Sequence, residues 1–179
     1  EALLSGCYLN ELLMRLLARD DAHPLLFDHY ALAVRGLALA QPAQQVLLRV
    51  FELLLLRELG WLPELDAEGG SMAVLDPDRP YLLMPEGGLR PALDGEAQAL
   101  SGRQWLALQQ ALDDPAPFEA LQSTCMDEAG GLPGLRPQLR TLLHYHSGVR
   151  VFKTRQMVLD VQSLAVPGGV GTHPQSAPP

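Results

Sequence analysis

Cysteine is scarce: Cys7 and Cys125 are the only two in 179 residues. That excludes the disulfide framework that staples small secreted domains, and a chain of this length needs none to hold its core. Each falls inside a predicted helix and is read as a buried small hydrophobe. Long apolar runs are also missing. Stretches such as Leu53 to Leu56 are interrupted by Arg, Glu, Gln or Asp well before the ~20 residues that span a bilayer, so neither a transmembrane helix nor a membrane partner is expected. The N-terminus lacks the basic, apolar and small-residue segments of a secretory signal, which makes a cytoplasmic location the default. The first residue is Glu1 rather than Met, which suggests that an N-terminal portion is missing. No G-x-S-x-G, G-x-x-x-x-G-K-[ST] or G-x-G-x-x-G pattern occurs. The carboxylate pairs Asp20-Asp21, Asp113-Asp114 and Asp127-Glu128 fall at helix ends or loops, where solvation and the helix dipole account for them. The reading is therefore non-enzymatic.

What is present is a globular balance, 47% hydrophobic and 19% charged, far from the signature of disorder. One domain is expected. "EALLSGCYLNELLMRLLAR" carries Leu3, Leu4, Cys7, Tyr8, Leu12, Leu13, Leu16 and Leu17 near i, i+3, i+4 spacing, the stripe of a helix buried on one face. Pro24 suits the first turn of a second helix that runs to about Ala40. Pro42 opens a third, with Gly60 as its C-terminal cap. Three apolar stripes joined by short turns must pack against one another, so the fold class is mainly α, a helical bundle. Residues 61–96, rich in Gly and Pro, read as an irregular insertion with a small two-stranded hairpin between "SMAVLD" and "YLLMPE". Ser101 caps a further helix that ends before Pro115; "FEALQSTCMDEA" is a weaker one, and "LRPQLRTLLHYHS" makes another, closed by Gly148. Thr154 is placed as N-cap of a last helix, and residues 165–179 as a flexible tail.

Charge is unevenly spread. The formal net charge is -8, yet between residues 135 and 159 every charged side chain is basic: Arg136, Arg140, Arg150, Lys153 and Arg155. Such an island reads either as solvated faces and helix-end charges or as a binding site. His144 and His146 catch the eye as a metal pair, but on a helix they stand about 200° apart and cannot share an ion. Across the Gly148 loop, Arg150, Lys153 and Arg155 meet the N-terminus of the last helix, where free N–H groups and the dipole favour a phosphate or carboxylate. Val151 and Phe152 among them suit either loop packing or a ligand with both acidic and apolar groups, such as an acidic peptide ending in a hydrophobe.

The order "SGCYLNELLMRLL", "HPLLFDHYALAVRGLA", "LLRVFELLLLRELGWLPELD", "SGRQWLAL" and "LRTLLHYHSGVRVFKTRQMVLDV" resembles the C-terminal part of the bacterial recombination mediator RecO family, over most of residues 3–164. The resemblance implies a helical domain, here residues 1–164, that follows an N-terminal OB fold. It implies binding of single- and double-stranded DNA, strand annealing, and contacts with RecR and with the acidic C-terminal tail of single-strand binding protein (SSB) to help RecA load. Arg49 matches the family's position in "LRVFEL" and is carried over for the SSB tail; Lys153 and Arg155 match "K[ST]R" and are carried over as further anion contacts. Arg136, Arg140 and Arg150 are charge-based candidates for DNA phosphates. Many members carry two Cys-x-x-Cys pairs that bind zinc, where this chain reads "LDAEGGSMA" and "PEGGLRPA". No cofactor and no zinc are expected, the hairpin being held by Met72, Val74, Leu82 and Met84 instead. The rival readings are a helical protein-interaction adaptor unrelated to DNA, and a metal hydrolase using His144 or His146.

Overall fold

A computed structural model describes residues 2–18, 22–39, 44–127 and 132–148. Six helices and three short strands make up this part: α1 Ala2–Leu16, α2 Pro24–Leu39, α3 Gln44–Glu58, β1 Pro80–Met84, β2 Gly88–Pro91, β3 Leu100–Ser101, α4 Gly102–Leu112, α5 Pro117–Asp127 and α6 Leu135–Ser147. It is the expected helical bundle with a small β insertion. The placement of Pro42 before the third helix, the Thr154-capped helix and the tail from residue 165 lie outside the described residues.

The bundle is built around α3. Every residue from Val50 to Leu56 is buried, together with Leu47 and Leu48, because a helix apolar on all sides is stable only when neighbours cover all sides. α1, α2, α5 and α6 supply that cover. Each fully buried Leu contributes about 1.5–3 kcal/mol relative to exposure, so α3 is the main source of cohesion. α1 turns a narrower face inward, with Ser5, Leu9 and Leu12 buried. Leu3 and Cys7 lie outside it: Leu3 is 80% exposed and Cys7 is exposed. The expectation that Cys7 is buried is thus corrected. Cys7 stands two residues, about 200° of helix, from Leu9, so a face centred on Leu9 and Leu12 turns it to solvent. Cys125 on α5 is buried, as expected.

The insertion departs further from the reading. β1 does pair in a hairpin, but with β2, in the register Leu82↔Arg90 and Leu83↔Leu89, and β3 adds on its other side at Tyr81↔Leu100. "SMAVLD" is not the partner strand. Residues 66–75 close on themselves instead, with Glu68 N–H donating to Ala73 O at 2.8 Å, Met72 N–H to Glu68 O at 2.8 Å, and Met72 at φ 57°. A three-residue turn brings β2 to β1 at less entropic cost than a longer connection to residues 71–76. The packing residues change accordingly. Met72 and Val74 are 72% and 80% exposed, Met84 points outward and Leu82 is half-buried; Tyr81, Leu83, Leu89 and Leu75 do the burying. In a strand of period two, the inward set is the one opposite to Leu82 and Met84.

Two joints fasten this insertion to the helices. Buried Gln138 on α6 accepts from Leu83 N–H (2.6 Å) and donates to the carbonyls of Gln98 (2.7 Å) and Gly134 (2.9 Å). Trp105 Nε1 on α4 donates to Tyr81 O at 3.3 Å. α4 itself starts at Ser101, as expected, through a full capping box with Gln104, and α6 ends at Gly148 in the left-handed conformation (φ 66°).

Candidate anion-binding site

Arg49 is presented by the central helix, and its surroundings explain why it is held still. Glu52 lies one turn further along α3, and Arg49 Nη2 donates to Glu52 Oε1 at 2.9 Å. Tyr8, reaching across from α1, donates its hydroxyl to the same oxygen at 2.8 Å. Glu52 is 2% exposed and the Arg49 side chain 12%. Burial pushes the Glu52 carboxyl above its usual range, with Arg49, the Tyr8 hydrogen bond and the charge of Arg136 acting the other way. Burial also raises the Tyr8 phenol, helped by the charge of Glu52. The network is incompletely closed. Among the described residues, the buried atoms Arg49 Nε and Glu52 Oε2 have no hydrogen-bond partner. Each such orphan costs about 1–3 kcal/mol, more for a charged group.

The other cations are distributed unequally. Arg136, in the first turn of α6, is exposed, on a helix that packs against α3, and its positive charge acts to lower the pKa of both Glu52 and Tyr8. Arg140 is half-buried further along α6. Arg150, Lys153 and Arg155, with the Thr154 cap and the neighbouring Val151 and Phe152, lie outside the described residues. The structure therefore brings Arg49 together with Glu52 and Tyr8, and Arg136 stands on a helix packed against the one that carries Arg49. Tyr8 and Glu52 were missed as members of the cluster. The available signal was Glu52 itself, an acid between Phe51 and Leu53 in a helix with no polar side to spare for it.

The histidines have separate duties. α6 carries both, as the sequence indicated. The His146 ring stacks on Trp61 (centroids 5.2 Å, interplanar angle 11°) and meets Tyr145 edge-on at 5.1 Å, and Tyr145 hydrogen-bonds Glu86. Burial lowers the pKa of His144. Among the described residues no group of three or more His, Cys, Asp and Glu could hold a metal ion, and no helix is long and apolar enough to cross a membrane.

A family model described as "Recombination protein O C terminal" matches residues 1–156. The chain belongs to the recombination protein O (RecO) family. Similar curated proteins, each called DNA repair protein RecO, occur in a Polaromonas species (55% identical over 165 residues), Albidiferax ferrireducens (52% over 167) and Variovorax paradoxus (56% over 170). These matches cover 92–93% of this chain and 65–66% of the relatives, so the chain spans just under two thirds of their length. In the RecO frame the zinc implied by the resemblance can be tested on geometry, and the residues present do not fit it. Where the thiolate pairs would stand, Gly69 N–H donates to Leu89 O at 2.9 Å, and a Cβ on Gly69 would lie 1.6 Å from Gly87 O. The two glycine corners interlock backbone to backbone, and Gly88 turns there with φ 67°. The cysteines lie on α1 and α5, away from this corner.

Proposed function

We propose that this chain is the helical module of a DNA repair and homologous recombination mediator of the RecFOR pathway, binding the acidic C-terminal tail of SSB through Arg49, with Lys153 and Arg155 as further contacts. RecO membership supports the repair role, as do relatives named DNA repair proteins. The observation that carries the peptide assignment is Arg49: a cation kept only 12% exposed on a buried acid, in the helix where the family resemblance is densest. A guanidinium fixed in a low-dielectric setting binds a carboxylate more strongly than a solvated one does.

In this reading the module contributes to DNA binding, strand annealing and RecA loading, with RecR as a further partner. Arg136, Arg140 and Arg150 are the cations available for phosphates. A module of net charge -8 binds DNA weakly by itself, since the general field repels the backbone and only the local island attracts it. The test is a fluorescence anisotropy titration of a labelled SSB tail peptide at moderate salt, with wild type, Arg49→Gln and the double variant Lys153→Ala/Arg155→Ala. Glutamine retains a donor for Glu52, so Arg49→Gln keeps the fold while losing the charge. Saturable binding that falls at least 10-fold in both variants is expected; unchanged affinity in both sinks the assignment.

A further inference from the structure

α2 buries Leu26, Ala33 and Leu37, yet a second apolar set on the same helix faces solvent. Phe27, Ala31, Val34 and Ala38 are all exposed, Phe27 at 68%. Their spacing of four, three and four residues sets them in one line along the helix, the kind of seam that two helices close between them. Apolar residues scattered singly over a surface need no partner, but an aligned set is a contact face. α1 also exposes Leu3 and Met14. Its line is broken by Asn10, which accepts from the Tyr30 hydroxyl of α2 at 2.5 Å, and the charges beside it, Glu11 and Arg15, pair with each other at 2.9 Å. The α2 seam has no such closure.

Charge decides what fits it. Asp28 and Arg35 flank the seam on one side, both exposed, and neither has an ion-pair partner among the described residues. Two helical turns, about 10 Å, keep them out of each other's reach. Against an antiparallel copy of the same helix, a two-fold axis holds the flank on one side and reverses its direction. Each Asp28 then comes level, to within about 3 Å along the axis, with the partner's Arg35. The same pairing sets Phe27 opposite Ala38 and Ala31 opposite Val34, a larger side chain against a smaller one each time. A parallel pairing would put the two flanks on opposite sides and join no opposite charges. We propose that the α2 seam is a self-association face, through which two copies of this chain form an antiparallel dimer. One helix of 16 residues covers less than a standard interface, so the dimer is a weak one.

The experiment is sedimentation velocity of the full chain from about 5 to 500 µM, a range suited to weak association. Wild type is expected to shift from monomer to dimer across it. Asp28→Arg alone leaves only cations on the flank and Arg35→Asp alone leaves only acids, so each weakens self-association by at least about 5-fold. The double variant Asp28→Arg/Arg35→Asp restores it. An equimolar mixture of the two single variants forms a heterodimer, because each then supplies the charge that the other lacks. Val34→Glu, in the middle of the seam, abolishes the dimer. All of these positions are exposed, and circular dichroism melts are expected to match wild type. Recovery in the mixture also shows that both single variants are folded. The proposal is overturned if wild type stays monomeric throughout, if the single variants associate as wild type does, or if neither the double variant nor the mixture recovers the dimer. A dimer that survives Val34→Glu and is lost in Met14→Glu belongs to α1 and overturns it equally.

Discussion

Replacing Gly69 by alanine tests the interlocked corner where the insertion folds back. The added Cβ would meet Gly87 O at 1.6 Å, Gly87 C at 2.6 Å and Gly88 Cα at 2.9 Å, all backbone atoms. No rotamer change relieves such a clash, so the two corners must separate. Separation stretches the 2.9 Å bond from Gly69 N–H to Leu89 O, a loss of about 1 kcal/mol, on top of overpacking at roughly 1–3 kcal/mol. The sum is about 2–4 kcal/mol, which for a domain of this size lowers the melting temperature by about 4–16 °C. Gly70 is the internal control: an alanine there meets nothing within 4 Å, so its effect is within about 0.5 kcal/mol. Urea unfolding of the two variants, read by circular dichroism, measures the difference directly. A Gly69→Ala midpoint equal to that of Gly70→Ala would refute the interlock as the element that holds this corner.

Other consequences are as accessible. Gln138→Leu leaves the Leu83 N–H and two carbonyls without their side-chain partner and is expected to cost about 2–4 kcal/mol, with faster amide exchange at Leu83. Glu52 binds its proton more tightly in the fold than at its ordinary value of 4.5. Between 4.5 and the raised value the native state therefore holds more protons than the unfolded one, so this contribution to stability is complete below 4.5 and is lost as the pH rises; Glu52→Gln should flatten that part of the stability–pH curve in urea titrations between pH 4.5 and 8. Glu96, held to about 2 by Arg90 and the Leu93 N–H, has the opposite sign: its contribution is present above 4.5 and is lost as the pH falls toward 2, a limb that Glu96→Gln should remove. Burial pushes the Cys125 thiol up to about 11, whereas Cys7 is exposed. A thiol reagent at pH 8 should accordingly titrate Cys7 within the native chain and Cys125 only in denaturant.

The helices were legible because each carries its own periodicity and punctuation. Pro24, Ser101 and Gly148 mark boundaries by local chemistry that no tertiary contact needs to supply. The insertion was less legible. "SMAVLD" and "YLLMPE" look equally strand-like, and which segment pairs with β1 is decided by the short turn at Pro85–Gly87 and by the Gly69 corner, a contact between positions about twenty residues apart. A pairing error there inverts the face, which is why Met72, Val74 and Met84 were given the burial that belongs to Tyr81, Leu83 and Leu89. Cys7 was misplaced for a related reason: the α1 stripe is wide enough that sequence alone does not say which edge faces α3. At the candidate site Arg49 was visible through family resemblance. Its anchoring through Glu52 by Tyr8 depends on two helices meeting, a relation that no local pattern encodes.

The central claim is that Arg49 receives a carboxylate, and the side-chain Nε–H resonance of that residue reports it most directly. In a proton–nitrogen correlation spectrum of the labelled chain, assigned with Arg49→Gln, the Arg49 signal should move progressively as the acidic SSB tail peptide is added. It should stay in place when a peptide of the same length without carboxylates is added. An Arg49 resonance that remains fixed while other signals report saturable binding of the acidic peptide would contradict the account.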